Sequence, residues 1–263
     1  PDYEHFRIVL PDGNEETLGT AVGILNQDQI HMVVGDGNQI SVTGIVLRPE
    51  FYIQRTQAEI LQLKKDRGID PEATVIAVMS GGNGQDLPYP EMLLNSQDNG
   101  KKYHMIVVAG GNTAAGNALN SKRQAGQKFI TGSNPNVTVE VLEDPVAATD
   151  ANPYYVSGGA ISRLHAIADV GITKPGGLSI AEFLQTGVPM IPDRRKDPMR
   201  WEDFNIGVLQ RQNRGRAYTG QEDFLELIDE VKAMGKKPKP NRAGLITQQM
   251  AQMITHVEDK TDA

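Results

Sequence analysis

The sequence predicts an α/β protein whose core is a doubly wound parallel sheet, and three observations predict it. From Ser41 onward, short runs rich in valine and isoleucine alternate with amphipathic stretches of helical length, the pattern of successive βαβ units. The first strand-like run, residues 73–79, is rich in valine and isoleucine, which suits a buried strand. Glycine-rich turns stand where strands hand over to helices, at Ser80-Gly81-Gly82-Asn83-Gly84 and at Lys174-Pro175-Gly176-Gly177.

Residues 1–41 mix polar turns with weak apolar runs, including a Pro11-Asp12-Gly13 turn and a second turn signal at Gly35-Asp36-Gly37-Asn38, and lack a core of their own. The first helix is expected over about 50–67, with Ile53, Ala58, Ile60, Leu61 and Leu63 at apolar positions and Gly68 closing it. The first strand, 73–79, follows. Residues 92–94 belong to the next helix, and 105–109 form the second strand, ending in Gly110-Gly111-Asn112. Further strands are expected at 137–142, 170–173, 188–191 and 216–218, which makes six. Residues 149–157 form a connection longer than such folds usually carry, either a lid or an insertion. A basic connection at 232–242 leads into a last helix over about 244–256.

Composition removes whole classes of chemistry. A chain of 263 residues holds one sizeable α/β domain with part of a second at an end. The absence of cysteine excludes disulfides, zinc–thiolate sites, iron–sulfur clusters and cysteine nucleophiles, and fits a cytoplasmic location. No run approaches the roughly 20 apolar residues of a spanning helix, and the first residues lack the pattern of a secretory signal. A net charge of −7 argues against general nucleic-acid binding, so an anionic ligand must be held locally. His5, His31, His104, His165 and His256 show no metal-ligand spacing, and structural or surface roles are expected for them. Ser80 and Ser157 precede glycines outside G-x-S-x-G, which leaves a serine hydrolase unsupported. Gly110 to Gly116 looks like a P-loop, but Asn117-Ala118 stands where Lys-Ser/Thr is needed. The loop containing Gly81 and Gly82 misses G-x-G-x-x-G, yet its glycines could cradle a phosphate or leave room for a ligand.

Open parallel sheets bind ligands beyond the carboxyl ends of their strands, where helix N-termini present free N–H groups. At Lys174-Pro175-Gly176-Gly177-Leu178-Ser179 a strand ends in a turn with two glycines and a helix opens near Ser179. Glycine lets the backbone approach a diphosphate, Ser179 can donate a hydroxyl or cap the helix, and Glu182, expected on the first turn, can accept from two ribose hydroxyls. The same spacing fits an ordinary capping box between Ser179 and Glu182, and the two readings are compatible. Lys174, Arg194 and Arg195 are candidates for a phosphate, although lone basic loop residues are more often solvated.

The run KPGGLSIAEFLQTGVPMIP at 174–192 resembles the donor-site signature of GT-B glycosyltransferases of family 28, with the wording of the diacylglycerol enzymes. Asp169, residues 172–177, Ser179, Glu182, Gly187 and residues 189–191 match that pattern. TGIVLRPEF at 43–51 is similar to the lead-in to the family's C-terminal domain, with Val46 in place of proline, and Trp201-Glu202-Asp203-Phe204-Asn205 resembles a later Q-E-x-x-N element, with Trp201 in place of glutamine. The resemblance implies a Rossmann-like donor domain over 42–243, preceded by the end of an acceptor domain at 1–41 and followed by a helix and tail at 244–263. It implies that Gly176, Gly177, Leu178 and Ser179 face the diphosphate of a UDP-sugar, that Glu182 binds ribose, and that Glu202 and Asn205 face the sugar. No metal or further cofactor is implied. The expected activity is glycosyl transfer to an acceptor hydroxyl, with a lipid acceptor, and so a place at the membrane surface, suggested by the wording of the 174–192 run. Only some 40 residues precede Thr43, so the acceptor domain and its general base belong to a longer chain or to a separate one; otherwise the protein binds a nucleotide sugar without transferring it. A UDP-sugar 2-epimerase is a third reading, and it lacks the paired acids and histidines that it would need.

Overall fold

The computed structural model describes residues 47–80, 88–149, 152–196 and 198–238, together with two short strands near the start of the chain. Those strands, β1 (Arg7–Val9) and β2 (Glu15–Thr17), pair antiparallel in a sheet of their own, in keeping with the turn signal at Pro11-Asp12-Gly13. That turn, the Gly35–Asn38 signal, Gly81, Gly82 and the expected helix at 244–256 lie outside the described residues.

The main sheet is parallel and has five strands: β3 (Thr74–Met79), β4 (Tyr103–Val108), β5 (Val137–Val141), β6 (Val170–Thr173) and β7 (Met190–Pro192), in the order β5-β4-β3-β6-β7. The sixth strand expected at 216–218 is not one. Residues 214–218 run beside β7 but join it only through the isolated bridges Met190 to Gly215 and Asp193 to Tyr218. Pro192 faces this segment, accepting from Tyr218 N at 3.0 Å, but has no N–H to return, so the pairing is broken between the two bridges.

Alternation along each strand feeds two separate cores. Val75, Ala77 and Met79 of β3 join one, and Ile76 and Val78 join the other. The first core is closed by α4 (Gly158–Ile167), α5 (Gly177–Thr186) and α6 (Arg200–Arg211), through residues such as Leu164, Ile180, Leu184 and Leu209. The second is closed by α2 (Tyr89–Leu94), α3 (Thr113–Asn120) and α7 (Phe224–Ala233), through Leu93, Leu119, Leu227 and Ile228. Helices on both faces of a parallel sheet make the fold doubly wound and Rossmann-like, as expected.

The helix expected over 50–67 is in fact two elements. A 3-10 turn at Pro49–Tyr52 buries Phe51 and Tyr52, and α1 (Gln57–Arg67) starts afresh. The cause is local: Thr56 Oγ1 accepts from Glu59 N at 3.3 Å while Thr56 N donates to Glu59 Oε2 at 2.7 Å, a reciprocal cap that begins a new helix. Ile53 and Leu61 are consequently exposed, whereas Ile60 and Leu63 pack on the core. Gly68 ends α1 at φ 68°, in the left-handed conformation that glycine adopts without strain.

The connection before α4 is fastened down. Asn152 Nδ2 donates to Gly110 O at 3.1 Å, Tyr154 Oη donates to Asn117 Oδ1 at 2.7 Å, and Asp144 Oδ2 accepts from Ser157 N at 3.0 Å and from Ser157 Oγ at 2.6 Å. The P-loop look-alike is equally ordinary, because Asn112 Oδ1 accepts from Ala115 N at 2.9 Å and so caps α3.

Strand order positions the site. The chain lays down β3, β4 and β5 in one direction, then returns to place β6 on the other side of β3. The order reverses between β3 and β6, and in open parallel sheets ligands bind outside the carboxyl ends of the strands at such a reversal. These two strands lead into the loop of Gly81 and Gly82 and into the turn at Lys174, the two glycine-rich segments singled out in the sequence.

Candidate functional site

Gly176 has φ −72° and ψ 147° and is the N-cap of α5, which opens at Gly177. The helix thus begins two residues before the expected Ser179. Two expectations change as a result. Glu182 falls on the second turn of α5, not the first, and no side chain caps the helix, so Ser179 and Glu182 form no capping box. Ile180 N reaches back to Gly176 O at 3.3 Å, and the N–H groups of Gly177, Leu178 and Ser179 meet no acceptor among the described residues. An uncapped N-terminus of this kind carries roughly half a positive charge and suits an anion.

Buried polar atoms surround the turn. Thr173, the last residue of β6, is 2% exposed, and its hydroxyl has no partner among the described residues. Asn205 on α6 is 0% exposed; its Nδ2 donates to Pro175 O at 2.9 Å, and its Oδ1 has no partner. Asn205 therefore lies beneath the turn and holds its backbone in place. Glu202 Oε2 accepts from Met199 N at 3.1 Å and closes the start of α6. Leu178 is exposed, and Ser179 and Lys174 are half-buried.

The basic candidates separate. Arg194 pairs with Asp203 at 2.9 Å, and Arg195 grips Asp193 through Nε at 3.0 Å and through its terminal nitrogen at 2.7 Å. Lys174 makes no ion pair among the described residues, which leaves its ammonium available beside the helix N-terminus.

Glu182 is 3% exposed, and Arg48, whose side chain is 44% exposed, donates to its Oε1 at 3.0 Å. Burial pushes the Glu182 carboxyl up from its ordinary range, and the bond and charge of Arg48 oppose that rise. Beneath it, His165 stacks on Phe183 with ring centroids 4.1 Å apart and meets Phe51 edge-on. Burial brings the His165 imidazole down to about 3, so it is neutral packing material, the structural role expected of it. His104 is also buried, with Nδ1 2.7 Å from Thr138 Oγ1. Among the described residues no group of histidines and carboxylates could hold a metal ion, and no helix is long and apolar enough to cross a membrane.

Gly176, Gly177, Leu178, Ser179 and Lys174 are thus gathered at one helix end, with Asn205 supporting them. Sequence reasoning missed Thr173 and Arg48. Arg48 lies inside the matched 43–51 run, and that was the available signal. Thr173 gave none, since an orphaned hydroxyl is visible only in three dimensions.

No family model matches the chain. Among curated sequences it is 26% identical over 201 residues to the processive diacylglycerol beta-glucosyltransferase of Bacillus pumilus, which covers 73% of this chain and 43% of that protein. The Bacillus licheniformis enzyme of the same name is 24% identical over 208 residues, covering 76% of this chain and 45% of its own. The matches therefore span under half the length of these relatives. Among solved structures, MurG of Acinetobacter baumannii aligns with a TM-score of 0.48 at 12% identity, over 82% of this chain and 58% of that one. The chain is a relative of the GT-B glycosyltransferases of the processive diacylglycerol glucosyltransferase kind, matched over a part-length region consistent with one domain.

Proposed function

We propose that this chain is the donor-binding half of a UDP-sugar-dependent glycosyltransferase, and the observation that carries the reading is the uncapped N-terminus of α5 at the point where strand order reverses. The diphosphate lies against the N–H groups of Gly177, Leu178 and Ser179, with Lys174 as counter-charge and the Thr173 hydroxyl as a further donor. Glu182 accepts from the ribose hydroxyls. Gly81 and Gly82, which follow β3 in the sequence, are assigned to the same ligand. Glu202 and the α6 start face the sugar, and Asn205 acts on the site through Pro175.

In the reaction an acceptor hydroxyl attacks the anomeric carbon and gives its proton to a base outside the described residues. The bond from that carbon to the diphosphate oxygen breaks, and UDP leaves with the electron pair, stabilised by the helix N-terminus. The names of the curated relatives support a diacylglycerol-type acceptor and work at a membrane surface.

Isothermal titration of the chain with UDP and with ADP tests the reading. Saturable UDP binding that weakens in Glu182→Ala, with ADP bound less well, supports it. No UDP binding, or equal binding by the Glu182 variant, overturns it.

A further inference from the structure

Arg48 is held in an unusual way for a residue whose side chain is 44% exposed. Its terminal nitrogen donates to Glu182 Oε1 at 3.0 Å across 134 residues of sequence. Its guanidinium lies against Gly158, the first residue of α4, where a Cβ would come within 3.0 Å of Nη1 and 3.1 Å of Cζ and Nε. Its Cζ also stands 5.4 Å from the centroid of the Phe51 ring. A carboxylate, a bare backbone and an aromatic ring thus fix one guanidinium from three different elements. Among the described residues Glu182 makes no other side-chain hydrogen bond.

We propose that Arg48 is the positioning residue for Glu182, fixing the orientation and the negative charge with which that carboxylate reads the ribose diol of the donor. The proposal rests on the donor-site reading of Glu182. The physical case is that a buried carboxyl protonates readily, and a protonated one turns one oxygen into a donor and loses the charge that strengthens its bonds from two hydroxyls. The charged and titratable groups around Glu182 leave Arg48 alone in this role. From α4 it meets His165, which is neutral. From the returning chain Lys236 donates to Ala166 O at 2.7 Å and so serves the carboxyl end of α4. On its own helix Thr186 donates to the Glu182 backbone oxygen at 3.0 Å. With Arg48 removed, burial acts on the Glu182 carboxyl unopposed.

The test is calorimetric affinity for UDP and for 2′-deoxy-UDP between about pH 5.5 and 8.5, in wild type, Arg48→Met, Arg48→Lys, Arg48→Gln and Glu182→Gln. Arg48→Met should bind UDP about tenfold more weakly at neutral pH, recover as pH rises, and lose most preference for the ribo form. Arg48→Lys should restore part of both. Glu182→Gln should be flat with pH and indifferent to the 2′-hydroxyl. If Arg48→Met keeps the wild-type preference and pH profile while Glu182→Gln loses them, the role of Arg48 is overturned and the ribose reading stands. If Glu182→Gln itself behaves as wild type, the ribose reading falls and takes the proposal with it. Should Arg48→Met fail to fold, Arg48→Gln decides: a wild-type profile refutes the proposal, and affinity rising with pH supports it.

Discussion

Replacing Thr173 by valine should make the protein more stable and a weaker binder of UDP, a pair of opposite effects that an ordinary core residue would not show. Thr173 is 2% exposed at the carboxyl end of β6, and its hydroxyl has no hydrogen-bond partner among the described residues. A buried unsatisfied hydroxyl costs about 1–3 kcal/mol, so its removal in a side chain of nearly the same shape should add about 1 kcal/mol of stability. If the hydroxyl is held for the diphosphate, its loss removes a hydrogen bond to a charged group, about 1.5–3 kcal/mol, or roughly tenfold to a hundredfold in Kd. Urea unfolding gives the first quantity and titration with UDP the second. Thr138→Val is the internal control: its hydroxyl is 2.7 Å from His104 Nδ1, so valine there should destabilise and leave UDP binding alone. A valine at 173 that lowers stability would show that the hydroxyl is already satisfied within the fold. Unchanged UDP affinity would show that the ligand does not use it.

Glu182→Gln should also stabilise the protein at pH 7. Burial raises the carboxyl in the folded state, so its stabilising contribution is present below the unfolded value of about 4.3 and is lost as pH rises through the folded value. The gain measured by urea unfolding should therefore fade toward pH 4, and a glutamine variant weaker than wild type at pH 7 refutes this. His165 runs the other way: its folded value is down at about 3, so stability is full above about 6.5 and falls as pH drops through that window. His165→Gln should flatten the slope, and an unchanged acid limb would sink the assignment. Gly187→Ala should cost about 3 kcal/mol, since left-handed backbone and overpacking each contribute one to a few. Gly187 has φ 82°, and an added Cβ would lie 2.2 Å from Pro238 N. A loss under about 1 kcal/mol in urea would mean that residues 237–238 can move aside.

Much of the fold was legible because its signals are local. Buried parallel strands are rich in valine and isoleucine, and five of the six expected strands stand where such runs lie. The sixth failed because Pro192, which faces it from β7, has no N–H to donate, a constraint carried by the neighbouring segment. The helix boundaries were less legible. An apolar period can be drawn from residue 50 to 67, but the Thr56–Glu59 cap outweighs it, and the S-x-x-E spacing at Ser179 suggested a cap that Gly176 pre-empts by starting α5 earlier. At the site, the K-P-G-G turn announced itself through its paired glycines between a strand and a helix, a signal contained in a few consecutive residues. Arg48 did not, because its meaning depends on a carboxylate 134 positions away.

The residues assigned to the proposed donor site are also those that serve the fold least well. Thr173 and Asn205 each bury a polar atom with no partner, Glu182 buries a carboxylate, and α5 begins without a side chain to cap it. Four other helices are capped by the side chain that precedes them, since Thr56, Asn112, Ser157 and Asp223 each accept from the first turn, while α2 and α6 start, like α5, without such a cap. A chain able to cap four helices could have capped α5 as well, with a serine or aspartate in place of Gly176. Such a side chain would occupy the N–H groups that an anionic ligand needs, and an aspartate would repel it. Gly176→Asp therefore separates the two demands, because it should tighten the fold by up to about 1 kcal/mol while abolishing UDP binding. A Gly176→Asp variant that binds UDP as well as the wild type would place the diphosphate somewhere other than the start of α5.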